Sequence, residues 1–387
     1  MSDNAQLALE TIRQRPARGI PSWLLHVMEH GEIERLAGAE PGLYRREPEV
    51  TYLAMQRCVG TCLLDQYIPF NPLEMGAHGY EGAAHGATTG AERIVCDGIV
   101  IDSAEAVTEH LERVEFPRLK QRITAFGEDA RVRGILDEEG EIQAELGPGI
   151  LKSGYGFVTF PAMAYGTYGY VHYFEAYALF PDVMERHFAL QADLAVLNNR
   201  AAARAYMGGR CVSNGADDAA ASHALPPLFR LDYDMADSRG TLVNVESLDR
   251  IWFPHFARAI EPLTATDVRL IWHCDGNLMQ MVPRLIECGV RGFQGFQYEA
   301  GMDYERICRM HTRDGEPLVM IAGVSVTTTL PCGAPDDVRN ELRRLVENGP
   351  PVGLFLGASS SITPGVPPEN LDALVEGLRY YREHGRG

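Results

Sequence analysis

Apolar and polar residues alternate with two different periods along this chain, most plainly in its last third. "VRLIWHCDGN" (268–277) is an apolar run that turns polar at its end, as a strand does on reaching the rim of a sheet. "LMQMVPRLIECG" follows with apolar residues at helical spacing and Gly289 to close it. The pattern repeats. "VRGFQGFQ" predicts a strand, "DYERICRMHTRDG" a helix and "PLVMIAGVS" a strand. "APDDVRNELRRLVENGP" predicts a capped helix, "VGLFLGASSS" a strand and "PPENLDALVEGLRYYREHG" a final helix. Alternating strands and helices with short links predict an α/β fold of parallel βαβ units, either a doubly wound sheet or a (β/α)8 barrel. No G-x-G-x-x-G opens a helix after an early strand, so dinucleotide binding has little support.

Upstream the pattern predicts mostly helix. "NAQLALETIRQR" and "IPSWLLHVMEHGEIERLAG" give the first fifty residues the look of a helical lead-in. Residues 92–114 predict strand, turn, strand and then a helix capped by Ser103 or Asp102. Residues 173–206 predict helix with a break near Pro181.

In both candidate architectures chemistry gathers at the C-terminal ends of the strands. "HCDGN", "FQGFQYEAGMD", "AGVSVTTTLPCG" and "GASSSITPG" all fall there. Side chains alternate along a strand, so His273 and Asp275 share one side while Trp272 and Cys274 share the other. Gly276 lets the chain turn away at once. A His and an Asp so placed can bind a divalent metal with a third ligand, form a proton-transfer pair, or simply satisfy each other at a strand end.

Composition narrows the partners. The chain has 387 residues, 45% of them hydrophobic, and a formal net charge of −18. That charge argues against an electrostatic grip on nucleic acid or an anionic membrane. No apolar run approaches the roughly 20 residues of a membrane span. The opening stretch carries Asp3 and Glu10 and has no apolar centre, so a cytoplasmic protein is expected. The cysteines (58, 62, 96, 211, 274, 288, 308 and 332) lie in apolar surroundings and predict reduced core thiols. Cys58 and Cys62 are four apart, but no second pair follows to complete a metal site.

The strand ending in "HCDGN", the run "LIECGVRGFQ", the pattern "IAGVSVTTTLPCGAPDDVRNELRRLVENG" and the segment "GLFLGASSSITPGVPPENLDALVEGLRYY" together resemble the uroporphyrinogen decarboxylase superfamily, and within it the corrinoid-linked methyltransferases. Weaker similarity runs upstream through residues 230–260, "YGFVTFPAMAYG" and "LLDQYIPFNPLEMG" (63–76). The resemblance implies a (β/α)8 TIM barrel over residues 51–387, with residues 1–50 as an N-terminal helical extension and the site in the barrel mouth. A homodimer is implied as well.

The departures are as informative. The Met-Arg-Gln-Ala-Gly segment, whose arginine holds substrate carboxylates in the true decarboxylases, is missing. Asp65 corresponds to the aspartate that faces the pyrrole nitrogens there, and Ser360 falls where a late histidine stands. The zinc methyltransferases of the family use His-x-Cys and a late Cys. Here His273 matches the histidine, while Asp275 and Ser360 occupy the cysteine positions and Cys274 the variable one. A His/Asp site is harder than a thiolate site and prefers oxygen donors.

The resemblance therefore implies methyl transfer between a small molecule and a corrinoid (cobalamin) carried by a partner protein. His273 and Asp275 are candidate zinc ligands, with Asp234, Glu299 or Asp303 to complete the set. Asp65, Asp234, His273, Asp275 and Glu299 are the catalytic candidates. Tyr298, Ser360 and Asn277 are the substrate-binding ones. The alternatives are a decarboxylase of a small acid, with Asp65 stabilising charge, and a ligand-binding barrel without catalysis. The aromatic stretch "YGTYGYVHYFEAYALF" (165–180) predicts core packing and could also wall a flat ligand.

Overall fold

The computed structural model describes residues 3–71, 85–208 and 225–386, together with the backbone of the strand pair 75–76 and 79–80. Cys211 and the end of the 63–76 stretch beyond Asn71 lie outside the described side chains.

The main sheet is parallel. Strands β1 (Leu63–Leu64) and β2 (Leu151–Lys152) pair with each other. The others are β3 (Gly154–Tyr155), β4 (Leu228–Asp232), β5 (Arg269–His273), β6 (Gly292–Gln294), β7 (Val319–Val324) and β8 (Leu354–Ala358). These form a six-stranded sheet in the order β8-β7-β6-β5-β4-β3, with every pairing parallel. All of β6, β7 and β8 is buried, which is why β7 and β8 read as unbroken apolar runs.

The "IPSWLLHV" stretch is extended, not helical as its pattern predicts. Ser22 bridges Leu356 of β8, and Trp23 bridges Leu63 of β1, both in parallel sense. An apolar run buried between two strands has no polar face for a helix to show to water. The helices of the lead-in are Asp3–Ile12, His30–Ala37 and Leu43–Arg46, and Pro48–Val59 begins at its end.

Most later helices agree with the pattern. Ser103, not Asp102, caps Ala104–His110, its hydroxyl accepting from Ala106 N at 3.2 Å. The break at Pro181 separates Tyr170–Leu179 from Pro181–Tyr206. Val282–Cys288 ends on Gly289 in the left-handed region (φ 112°). The helix expected over "DYERICRMHTRDG" shrinks to Tyr304–Cys308. Its second half folds into a turn closed by Gly315 N on Thr312 O at 2.9 Å.

Trp272 shows which way β5 faces. Its ring meets Phe256 at 5.4 Å and Trp252 at 6.2 Å, both edge-on. Phe256 belongs to the helix Phe253–Thr264 that covers this side of the sheet. His273, the next residue, therefore points to the opposite side.

Candidate active site

In a parallel pair, residues in register point to the same face. His273 pairs with Asp232 on β4 and with Gln294 on β6, so one row of polar side chains crosses three strand ends. Two residues further along, Asp234 and Asp275 follow on the loops. Asp234, His273 and Asp275 each offer a ligand atom, and these atoms lie within 4.8 Å of one another.

Each member is held differently. His273 Nδ1 lies 3.3 Å from the Gln294 carbonyl, so in the neutral ring Nδ1 carries the proton and Nε2 offers a lone pair. Nε2 is 3.9 Å from Asp232 Oδ1. Gly295 ends β6 at φ +74°, and a Cβ there would fall 2.7 Å from His273 Nδ1. Only glycine lets the chain pass that close to the ring. Asp275 Oδ2 accepts from Ser360 Oγ at 3.4 Å, while its buried Oδ1 has no hydrogen-bond partner among the described residues. Asp234 belongs to an exposed loop, yet its carboxylate accepts the Asp275 amide at 2.8 Å. Partial burial, with Asp275 and Asp232 adding like charge, pushes its pKa above the usual aspartate range. Gly276 turns the chain at φ +87°, where a Cβ would strike Asp237 O at 2.6 Å.

Cys274 is buried on the other side. Its Sγ accepts from Met235 N at 3.3 Å and donates to Asp275 O at 2.9 Å, and burial pushes its thiol pKa up. Asp234, Asp275 and Gly276 face a cleft of about 690 Å³, walled by Tyr165, Tyr170 and Phe174. Tyr165 and Tyr170 stack at 4.9 Å, and Tyr165 donates to Asp234 O at 2.7 Å. The aromatic stretch thus divides, because Tyr168, Tyr173 and Tyr177 are core.

A second polar set lies beside the first. Asp65 is fully buried, and both its oxygens are committed. Oδ1 accepts from Trp23 Nε1 at 2.9 Å and from Gln66 N at 2.8 Å, while Oδ2 meets Arg230 Nε at 2.5 Å. Arg230 Nη1 donates to Asp232 Oδ2 at 2.8 Å, and Nη2 to Gln66 Oε1 at 2.9 Å. Its guanidinium also lies over the Tyr155 ring at 4.7 Å, and the Tyr155 hydroxyl donates to Asp232 at 2.9 Å. Just beyond the Ser22–Trp23 bridges, His26 Nδ1 is 2.7 Å from Ser361 Oγ. Burial, then the charge of Arg230, lowers the His26 pKa to about 4.

Sequence reasoning missed Arg230, Asp232 and His26. The period of two in "RLDYD" was the available signal, since it puts residues 230, 232 and 234 on one face. Of the residues it named, Asp234, His273, Asp275 and Ser360 come together. Others do not join them. Tyr298 packs on Phe296 and donates to Gly323 O at 2.9 Å. Glu299 accepts from Ser325 and Thr327. Asn277 Oδ1 accepts from Met279 N at 3.1 Å. Asp303 caps Tyr304–Cys308, accepting from Arg306 N at 2.9 Å. Cys62 and Cys58 make no pair: one is buried and the other exposed. Cys332 is exposed too, so neither it nor Cys58 is a core thiol.

Comparison with known proteins agrees with this architecture. A solved structure described as a methyltransferase from Methanosarcina mazei superposes with a TM-score of 0.57 at 15% identity, covering 98% of each chain. A Listeria monocytogenes protein, named provisionally as a vitamin-B12-independent methionine synthase, reaches 0.40 at 13% identity over 95% of this chain and 96% of its own. That overlap is too loose to bear on the fold. No curated protein matches the chain. Residues 233–381, which carry β5 to β8 and the Asp234–His273–Asp275 group, match the profile of the family described as Uroporphyrinogen decarboxylase (URO-D). No described helix is long and apolar enough to cross a membrane.

Proposed function

We propose that the protein is a metal-assisted methyltransferase. In this reading it moves a methyl group between a small molecule and a corrinoid held by a partner protein. The observation that carries the reading is the convergence of Asp234, His273 and Asp275, with ligand atoms within 4.8 Å, at the ends of β4 and β5. The donor set fits a divalent cation. Two carboxylates balance its charge, Asp275 Oδ1 is a buried oxygen with no partner among the described residues, and His273 Nε2 has an open lone pair. Zinc bound there supplies Lewis-acid stabilisation of the group that leaves the methyl carbon.

The chain's own residues prepare that chemistry. The Gln294 carbonyl fixes the His273 tautomer, and Ser360 orients Asp275. Arg230 and Tyr155 hold Asp232 beside His273, so the local field stays negative without Asp232 taking a ligand position. The aromatic wall of the cleft offers an apolar surface to the body of the methyl donor.

The ring this site needs is a (β/α)8 barrel that takes in more than residues 51–387: the Ser22–Trp23 segment, expected in the N-terminal extension, completes it between β8 and β1, and the short step from β2 to β3 continues it. The parallel bridges on both sides of that segment support it. A homodimer and a cytoplasmic location belong to the same proposal. Decarboxylation is the weaker reading, because both oxygens of Asp65 are already bonded.

The test is to load the protein with zinc and add reduced free cobalamin with a panel of methylated amines, ethers and thiols. Donor-dependent loss of the reduced corrinoid's absorbance, abolished in His273→Ala, supports methyl transfer. No reaction with any donor, or equal rates in His273→Ala, contradicts it.

A further inference from the structure

A cavity of about 1070 Å³, larger than the mouth cleft, is lined in part by the 159–164 loop. The helices Phe116–Thr124 and Pro181–Tyr206 contribute to its walls. Its apolar lining includes Leu119, Phe126 and Leu194, and three arginines stand around it: Arg118, Arg122 and Arg131.

The charges do not cancel. Arg118 is answered by Asp97 at 3.0 Å and Glu115 at 3.2 Å. Neither Arg122 nor Arg131 has an ion-pair partner among the described residues, in a chain with 53 acidic and 35 basic residues. A solvated surface arginine needs no partner, and Arg122 alone would mean little. Arg131 is half-buried and fixed by neutral groups. Its Nε donates to Asn198 Oδ1 at 2.8 Å and its Nη2 to Phe157 O at 3.1 Å, which leaves Nη1 uncommitted and the charge unbalanced. That is a preorganised half of an anion site.

His187 supplies an independent observation. It lines the same cavity and is 4% exposed. The Gln191 amide is oriented by Ala162 N, which donates to Gln191 Oε1 at 2.8 Å. Gln191 Nε2 is therefore a donor, and it lies 3.1 Å from His187 Nε2. Nε2 must accept, so the ring proton sits on Nδ1, and this buried Nδ1–H has no hydrogen-bond partner among the described residues. A buried donor without an acceptor is costly, and it leaves this wall of the cavity polar.

We propose that this cavity is a second binding site, for a small anion with an apolar body such as an aryl carboxylate or phosphate monoester. Arg131, fixed on Asn198, holds the anion with Arg122 beside it, and His187, on an earlier turn of the same helix, lines the wall that takes the rest of the ligand. The experiment is isothermal titration of the full chain with phenyl phosphate, benzoate and, as a neutral control, benzyl alcohol. At least one anion binds saturably and benzyl alcohol does not; the stronger of the two anions identifies phosphate or carboxylate as the natural head group. Arg122→Ser and Arg131→Gln each weaken that binding about tenfold, the loss of one charge-assisted hydrogen bond. His273→Ala leaves it unchanged. Arg122 is exposed, so its variant keeps the test decisive even if Arg131→Gln misfolds. The proposal is overturned if neither anion binds, if benzyl alcohol binds as well, if Arg122→Ser binds like wild type, or if His273→Ala removes binding and so places the anion at the mouth.

Discussion

Two groups of carboxylates sit side by side on the same strand ends. Around Arg230, Asp65 and Asp232 accept from four groups: Trp23, the Gln66 amide, Tyr155 and Arg230 itself, whose guanidinium is further fixed by the Gln66 side chain. Around His273, Asp234 and Asp275 share one weak hydroxyl contact and one amide, and Asp275 Oδ1 has no hydrogen-bond partner among the described residues. The first group is closed and supports the sheet. The second is open, and its unmet valence is what a ligand can use. Burial and acidity alone do not separate the two; partner geometry does.

The contrast breaks most sharply at Arg230. Arg230→Met strands the Asp65 carboxylate in the core, and unfolding in urea should show a loss of about 3–5 kcal/mol. Asp234→Asn, in the open group, should cost about 1 kcal/mol or less. Similar losses from both would erase the distinction between the groups.

His187 extends the comparison to the helical layer, where a buried group is also left open. Burial lowers its pKa from 6.5 to about 4. Above pH 6.5 the ring is neutral in both folded and unfolded chains and adds nothing. As pH falls from 6.5 towards 4, the unfolded chain takes up a proton that the native state refuses, so native stability drops. The full loss is about 3 kcal/mol, reached below pH 4. Urea titrations at pH 7 and pH 4.5 should show a steeper decline in wild type than in His187→Phe. Parallel declines would mean that His187 titrates normally.

A smaller effect is expected at Gly295. Gly295→Ala puts a methyl group against His273 Nδ1 in a left-handed backbone, and should cost roughly 1–2 kcal/mol. Because the methyl displaces the ring, it should also lower bound metal more than that stability loss explains. Unaltered metal content in a folded Gly295→Ala would show that the ring position is not critical.

The strands β5, β7 and β8 and their helices were legible because each repeats a clean apolar period between capped turns. The strands β1, β2 and β3 were not. Each has two residues, too short for any period to show. The Ile20–Val27 run misled because a short apolar stretch fits a helix or a buried strand equally well. In the site, alternation placed His273 and Asp275 together and turned Cys274 away. It could not show that Asn277 bonds to its own turn, that Tyr298 donates to the Gly323 carbonyl, or that Asp65 meets Arg230 from 165 positions away. Such partners are set by tertiary packing.

The central claim is that the open group holds a divalent ion. Bound zinc should be measured by mass spectrometry, after zinc loading and gel filtration, in wild type, His273→Ala, Asp275→Asn and Cys274→Ser. The account predicts near-stoichiometric zinc in wild type and in Cys274→Ser, and little in His273→Ala and Asp275→Asn, all four with native circular dichroism. Zinc lost in Cys274→Ser but kept in His273→Ala, or no zinc in wild type after loading, would contradict it.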